Sequence, residues 1–170
     1  KIKAVFDPGN GVTTTIIKDA IKLFPNIEAY YICDENDGTF PNHHPDPAIE
    51  ENMTMLKQKV LEVQADIGIA FDGDGDRLGI INEQGKFVMA DQYLIVAVRD
   101  LINKVKNKTF LCDVKCSKSL IDEIEKLGGK VFMSRTGTSF TEANTKENNI
   151  PLGGELSGHI FFNDRGPEIC

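Results

Sequence analysis

The 170-residue sequence has no tryptophan and only three tyrosines. Its four cysteines, Cys33, Cys112, Cys116 and Cys170, form no C-x-x-C pair. That spacing argues against a zinc finger or a disulfide scaffold and reads as buried or incidental thiols in a reducing cytoplasm. No apolar run approaches membrane-spanning length and no signal peptide is present, so a membrane partner is not expected. Basic runs are also missing, and the net charge of −7 argues against a nucleic-acid surface. After the first apolar run, Gly9 and Gly11 lack the third glycine of a dinucleotide fingerprint, because Thr14 stands in its place. A tight structural turn is the expectation there. The adjacent His43 and His44 would point in different directions on an extended chain, which argues against a joint metal site. They read as loop surface or packing.

What is present is an ordinary globular composition, 41% hydrophobic and 26% charged, in a chain long enough for one large or two small cores. The pattern alternates strands and helices. Strands are expected at Ile2–Phe6, Ile27–Cys33, Ile67–Phe71, Leu78–Ile81, Thr109–Val114 and Lys130–Met133, with a last β pair within Leu152–Phe162. The first helix should carry Ile16, Ile17, Ala20, Ile21 and Phe24 on one face and end at Pro25. A second, with stripe Ile49, Met53, Leu56, Val60 and Val63, should be capped by Asp46 with Pro47 in its first turn. Asp91 is expected to cap a third helix bearing Leu94, Val98, Leu101, Ile102 and Val105, and further helices are expected at Ser117–Leu127 and Ser139–Asn148. This grammar predicts two consecutive mixed-sheet α/β units, residues 1–86 and 87–170. The pattern starts inside a strand and stops at Gly-Pro-Glu-Ile-Cys with no closing element, which reads as a piece of a longer protein.

The most informative stretch is Ala65–Glu83, ADIGIAFDGDGDRLGIINE. Two apolar runs flank a short loop with carboxylates at alternate positions, Asp72, Asp74 and Asp76, followed at once by Arg77. Carboxylates converging on one loop repel unless a cation sits among them, and a hard divalent ion such as Mg²⁺ suits oxygen ligands. A solvated acidic turn is the plainer alternative. An EF-hand fails, because Arg77 occupies the position where that loop needs glycine and the flanks read as strands. An aspartyl-nucleophile phosphatase, with Asp72 attacking and Asp74 as acid/base, leaves the third aspartate and the arginine without a role. Metal plus guanidinium better suits a transferring phosphoryl group.

FDGDGDRLG, DVKCS and GGELSGH occur in that order, with DGTFPNHHPDP upstream. Together they resemble the α-D-phosphohexomutases, most closely the phosphomannomutase/phosphoglucomutase branch. The resemblance implies the second and third domains of a four-domain enzyme, the first unit holding the metal loop and the second a sugar-recognition loop. It implies Mg²⁺ at Asp72, Asp74 and Asp76, with Arg77 beside the phosphoryl group. It further implies substrate contacts at Lys115, Thr136, Gly137, Glu155, Ser157 and His159. By residue type, Glu155 can accept two sugar hydroxyls, Ser157 can donate or accept one, and a histidine can move a proton near neutrality.

The implied reaction interconverts hexose 1-phosphate and hexose 6-phosphate (mannose or glucose) through a phosphoserine and a bisphosphorylated sugar. Neither a Ser-His-Asn-type nor a Ser-Gly-Thr segment occurs in this chain. The implied partners are therefore a hexose phosphate and flanking domains of the same protein, and the chain alone is expected to be inactive. Two positions depart from the family pattern: Thr138 replaces the histidine of the TGHS segment, and Gly75 replaces a common alanine. Phosphoglucosamine mutases share that glycine, so they stand as an alternative beside an aspartyl phosphatase and a non-catalytic divalent or sugar-phosphate module.

Overall fold

The computed structural model describes residues 1–163; the closing Gly-Pro-Glu-Ile-Cys stretch lies outside them. The chain divides into two compact units, Lys1–Val88 and a second from Met89 onward. The division falls after Val88 because the two-residue strand β5 (Phe87–Val88) pairs antiparallel with β4 (Leu78–Asn82) and so belongs to the first sheet.

In the first unit β1 (Ile2–Asp7) lies between β2 (Ile27–Tyr31) and β3 (Ile67–Phe71), both parallel to it. β4 runs antiparallel to β3, giving the order β2-β1-β3-β4-β5. Strand alternation sends Val5 and Ala70 to one face, against Met53, Leu56 and Val60, and Ala4 and Phe6 to the other, against Ile17. Helix α2 (Thr54–Val63) covers the first face, and the short α1 (Ile17–Ile21) lies on the second. Gly68 allows α2 to approach closely, since a Cβ there would stand 2.6 Å from Val60 Cγ2.

Three local expectations give way. The first helix is a 3-10 turn over Val12–Thr15 followed by only five α-helical residues, leaving Ile16 and Phe24 exposed. A run of β-branched Val-Thr-Thr-Thr is a poor helix start because each χ1 is restricted. Asp46 caps no helix; a 3-10 turn begins at Glu50 and leads into α2, and Asp46 instead meets Arg77. Asp91 lies inside α3 (Ala90–Leu101), not before it, and accepts a hydrogen bond from the Ser117 N–H at 2.9 Å.

The second unit repeats the plan. β6 (Thr109–Asp113) is flanked by parallel β7 (Lys130–Ser134) and β8 (Leu152–Gly154), with β9 (Ile160–Phe162) antiparallel to β8. Helices α4 (Lys118–Lys126) and α5 (Thr138–Glu147) complete it. Consecutive glycines show that both faces are covered. A Cβ on Gly154 would meet Leu94 of α3 at 2.5 Å, and one on Gly153 would meet Thr145 of α5 at 2.8 Å. Among the described residues no buried side-chain nitrogen or oxygen lacks a partner, and no helix is long and apolar enough to cross a membrane.

Candidate functional site

In each unit the first of the three parallel strands lies between the next two: β1 sits between β2 and β3, and β6 between β7 and β8, so the chain order reverses across that strand. Loops leaving the carboxyl ends of parallel strands at such a reversal form the usual ligand crevice of α/β sheets. The acidic loop leaves β3, and the segments carrying Lys115, Thr136 and Glu155 leave β6, β7 and β8. Topology therefore collects the residues of each unit at one sheet end. In each unit the middle strand closes on a fully buried aspartate, Asp7 or Asp113.

In the first unit Asp72 is 2% exposed, and its Oδ1 accepts the backbone N–H groups of Gly75 (3.0 Å) and Arg77 (3.1 Å). Its Oδ2 accepts Arg77 Nε at 2.7 Å. Burial pushes this carboxyl up, but the Arg77 hydrogen bonds and charge outweigh it and hold it below the ordinary range. Asp74 is raised, first by sharing a hydrogen bond with Asp72, then by burial and by repulsion from Asp72 and Asp76. One oxygen from each of Asp72, Asp74 and Asp76 lies within 4.8 Å of the others. Three hard oxygen donors with mutual repulsion and a partly open face fit a divalent cation. About four lone-pair sites exist on a carboxylate; Asp72 commits three to N–H donors, and the fourth, shared with Asp74, is the one a metal ion would take over.

The loop's shape depends on two glycines. Gly75 has φ +83°, in the left-handed region, and a Cβ there would lie 2.5 Å from Thr13 Oγ1. Gly11 lets the β1 loop dock, since a Cβ would lie 2.6 Å from the Gly73 carbonyl, and Val12 N–H donates to that same carbonyl at 3.1 Å. An open cavity of about 320 Å³ borders the acidic loop, with Val12, Thr13, Ile16, Phe71, Asp74 and Gly75 in its wall.

A second ligand-capable group brings together Asp7 at the end of β1, Cys33 after β2 and His43 of the loop 40–47. His43 Nε2 stands 3.1 Å from Asp7 Oδ2, and Nδ1 stands 3.0 Å from the His44 carbonyl. Both ring nitrogens face acceptors, the arrangement that favours an imidazolium. Hydrogen bonding to Asp7, then to Cys33, lifts its pKa to about 10 against the opposing effect of burial. The expectation of loop packing omitted this ion pair.

In the second unit Glu155 is 2% exposed and accepts from Thr141 Oγ1 (2.6 Å), Gly137 N–H (3.3 Å) and Ser157 Oγ (3.1 Å). Ser157 Oγ is 2.9 Å from His159 Nδ1. Because the single serine proton goes to Glu155, Nδ1 must be the donor, which leaves Nε2 as the ring nitrogen able to act as an acceptor. Thr138 Oγ1 lies 3.5 Å from that Nε2. With three of about four acceptor sites on Glu155 already used, it can accept one sugar hydroxyl directly, and a second would have to replace an internal bond. Asp113 joins the segments: Oδ2 accepts Thr136 Oγ1 at 2.8 Å, and Oδ1 accepts Leu156 N–H at 3.3 Å and Cys116 Sγ at 3.2 Å. Lys115 is exposed on the loop after β6. Gly137, φ +134°, sits at the start of α5 beside the Glu155 carboxylate.

Asp7, Asp46 and Asp113 were not among the sequence-predicted site residues. A charge closing an apolar strand, as in VFD and LCD, was the available signal for Asp7 and Asp113.

Fold and loops together define a tandem α/β protein with one acidic and one Glu-Ser-His loop at sheet reversal points. The family described as phosphoglucomutase/phosphomannomutase, alpha/beta/alpha domain II, matches residues 1–85, and its alpha/beta/alpha domain III matches residues 89–168. The phosphomannomutase/phosphoglucomutase of Pseudomonas putida is 41% identical over 165 residues, 97% of this chain and 35% of the relative. The phosphoglucomutase of Neisseria meningitidis serogroup A is 38% identical over 164 residues, 96% of this chain and 35% of the relative. The crystal structure of a family protein from Burkholderia thailandensis superimposes with a TM-score of 0.92 at 38% identity, covering 96% of this chain and 36% of that one. The chain belongs to the phosphoglucomutase/phosphomannomutase family, and it spans about a third of the length of these relatives. A more distant structure, Aspergillus fumigatus N-acetylphosphoglucosamine mutase in complex with GlcNAc-6P and magnesium, shares the fold at TM-score 0.68 and 20% identity, covering 95% of this chain and 36% of that one.

Proposed function

We propose that this chain is the central part of a Mg²⁺-dependent phosphohexomutase that interconverts hexose 1-phosphate and hexose 6-phosphate of the mannose/glucose type. The observation that carries the reading is the Asp72, Asp74 and Asp76 cluster with Arg77 fixed against it, in a chain of this family. Asp72, Asp74 and Asp76 would hold the cation, which neutralises charge on a transferring phosphoryl group. Arg77 presents N–H donors to the same group. In the second unit, His159 takes the sugar hydroxyl proton at Nε2. The Ser157–Glu155 pair fixes its tautomer, and Glu155, Ser157, Lys115, Thr136 and Gly137 bind the sugar phosphate. Thr138 carries no charge, so proton transfer in this unit falls to His159.

An aspartyl-phosphatase reading is disfavoured by Asp72 itself. A buried carboxylate accepting three N–H bonds is a poor nucleophile. The phosphoserine belongs to a flanking domain, so this chain alone is inactive. Fixed positioning of a nucleophile is worth about 7–11 kcal/mol of barrier, and the chain lacks that partner.

The test is to supply full-length protein with glucose 1-phosphate, Mg²⁺ and the bisphosphate activator, follow the 6-phosphate by ³¹P NMR, and map covalent phosphate by mass spectrometry. Turnover with phosphate on a serine is expected, with background activity for this chain alone. An aspartyl phosphate, or turnover by this chain alone at about 1–10³ s⁻¹, would overturn the reading.

A further inference from the structure

We infer that Asp46 is a positioning residue that holds Arg77 at the phosphoryl site, an inference resting on the mutase reading above. Arg77 is gripped on two edges: Nε donates to Asp72 Oδ2 at 2.7 Å, and Nη1 donates to Asp46 Oδ1 at 2.9 Å. A guanidinium has five N–H donors in a fixed plane, so two anchors from different directions set the plane and leave three donors beyond these bonds. The pair is partly shielded, with Arg77 and Asp46 side chains 26% and 22% exposed, so it escapes the full screening of a surface ion pair.

The two anchors are not equivalent. Asp72 belongs to the cluster proposed to hold the cation, and metal and guanidinium would then draw on one carboxylate from both sides. Like charges so placed repel, which weakens that hold on Arg77 when the site is loaded. Asp46 comes from a separate loop and is not in the three-aspartate cluster. It is the anchor that remains at full strength, and it opposes that repulsion.

The loop carrying Asp46 is itself fixed to the sheet. Buried Asp7 at the end of β1 binds His43; His43 Nδ1–H donates to the His44 carbonyl (3.0 Å), which also accepts Asp46 N–H (2.9 Å). Asn52 Nδ2 donates to the Asp46 carbonyl at 2.9 Å, and Ala48 N–H donates to Asp46 Oδ1 at 3.2 Å. A continuous set of hydrogen bonds thus runs from the sheet core through His43 and Asp46 to the guanidinium. Arg77 lies 31 residues away in sequence, so no local capping role accounts for the contact.

The experiment compares Asp46→Asn, Asp46→Glu, Arg77→Lys and the Asp46→Asn/Arg77→Lys double variant in the full-length enzyme. The Arg77 Nε–H signal is read in parallel by ¹H–¹⁵N NMR of this chain. Asp46→Asn is expected to lower kcat by about 10- to 100-fold, the size of a lost charged hydrogen bond. KM should stay within about twofold, and Asp46→Glu should recover part of the loss. In the Arg77→Lys background the same change should cost little more, because positioning acts through Arg77. In the isolated chain, Asp46→Asn should broaden the Arg77 Nε–H signal while the backbone spectrum stays in place. A kcat within about twofold of the parent, or an equal loss in both backgrounds, overturns the inference. If the parent enzyme shows no mutase turnover, the functional reading fails on its own. The NMR comparison then decides the positioning claim, and an unchanged Nε–H signal refutes it.

Discussion

Replacing His43 by glutamine removes the positive charge facing Asp7 while keeping a neutral side-chain N–H donor at that position. The pKa of His43 rises from 6.5 to about 10, driven first by the Asp7 hydrogen bond. The sign follows from linkage. A group whose folded-state pKa is raised stabilises fully below its unfolded value and loses that contribution as pH climbs through the folded value. At about 1.4 kcal/mol per tenfold, the upper bound is about 5 kcal/mol at pH 6, about 3 at pH 8 and under about 1 at pH 10. Urea unfolding of wild type and His43→Gln at those pH values measures the gap directly, and subtraction cancels the groups common to both. The expected gap is widest at pH 6 and closes toward pH 10. A gap that stays constant across this range would show that His43 contributes packing rather than charge, and the imidazolium assignment would fail.

Gly75→Ala places a methyl group 2.5 Å from Thr13 Oγ1 on a backbone with φ +83°, and should destabilise the first unit by about 1–3 kcal/mol in chemical denaturation. A Gly75→Ala/Thr13→Ala variant should recover the steric part of that loss. Leu56, fully buried between α2 and the sheet, should cost about 2–5 kcal/mol when cut to alanine, and the loss should appear in the unfolding of the first unit. Asp113→Ala strips Thr136 Oγ1 and the Leu156 N–H of their shared acceptor, and should speed amide exchange at Leu156 while leaving exchange in α2 unchanged.

The strands were legible because short apolar runs such as Ile67–Phe71 and Thr109–Asp113 end in charged or glycine-bearing loops, a pattern that little else in a chain imitates. The acidic loop was legible for a related reason: three alternating carboxylates make little sense without a cation. Positions governed by distant partners were not legible. Asp46 and Pro47 look locally like the start of a helix, yet the carboxylate is spent on Arg77, 31 residues away. Asp91 looks like an N-cap, yet it serves the Ser117 N–H, 26 residues on. His43 looked like loop surface because its partner Asp7 lies 36 residues back at a strand end. The stripe Ile16, Ile17, Ala20, Ile21 and Phe24 has helical spacing, but β-branched residues before it shorten the helix and only Ile17 is buried.

The central claim is that Asp72, Asp74 and Asp76 form the divalent site of a hexose phosphate mutase, and the metal dependence of one variant tests it most directly. Full-length protein bearing Asp74→Asn should be assayed for conversion of glucose 1-phosphate to the 6-phosphate over a wide range of Mg²⁺. Loss of one charged oxygen ligand should raise the Mg²⁺ concentration for half-maximal activity by about tenfold or more, equivalent to at least about 1.4 kcal/mol. Half-saturation by Mg²⁺ at the same concentration as in the parent would contradict the three-aspartate site.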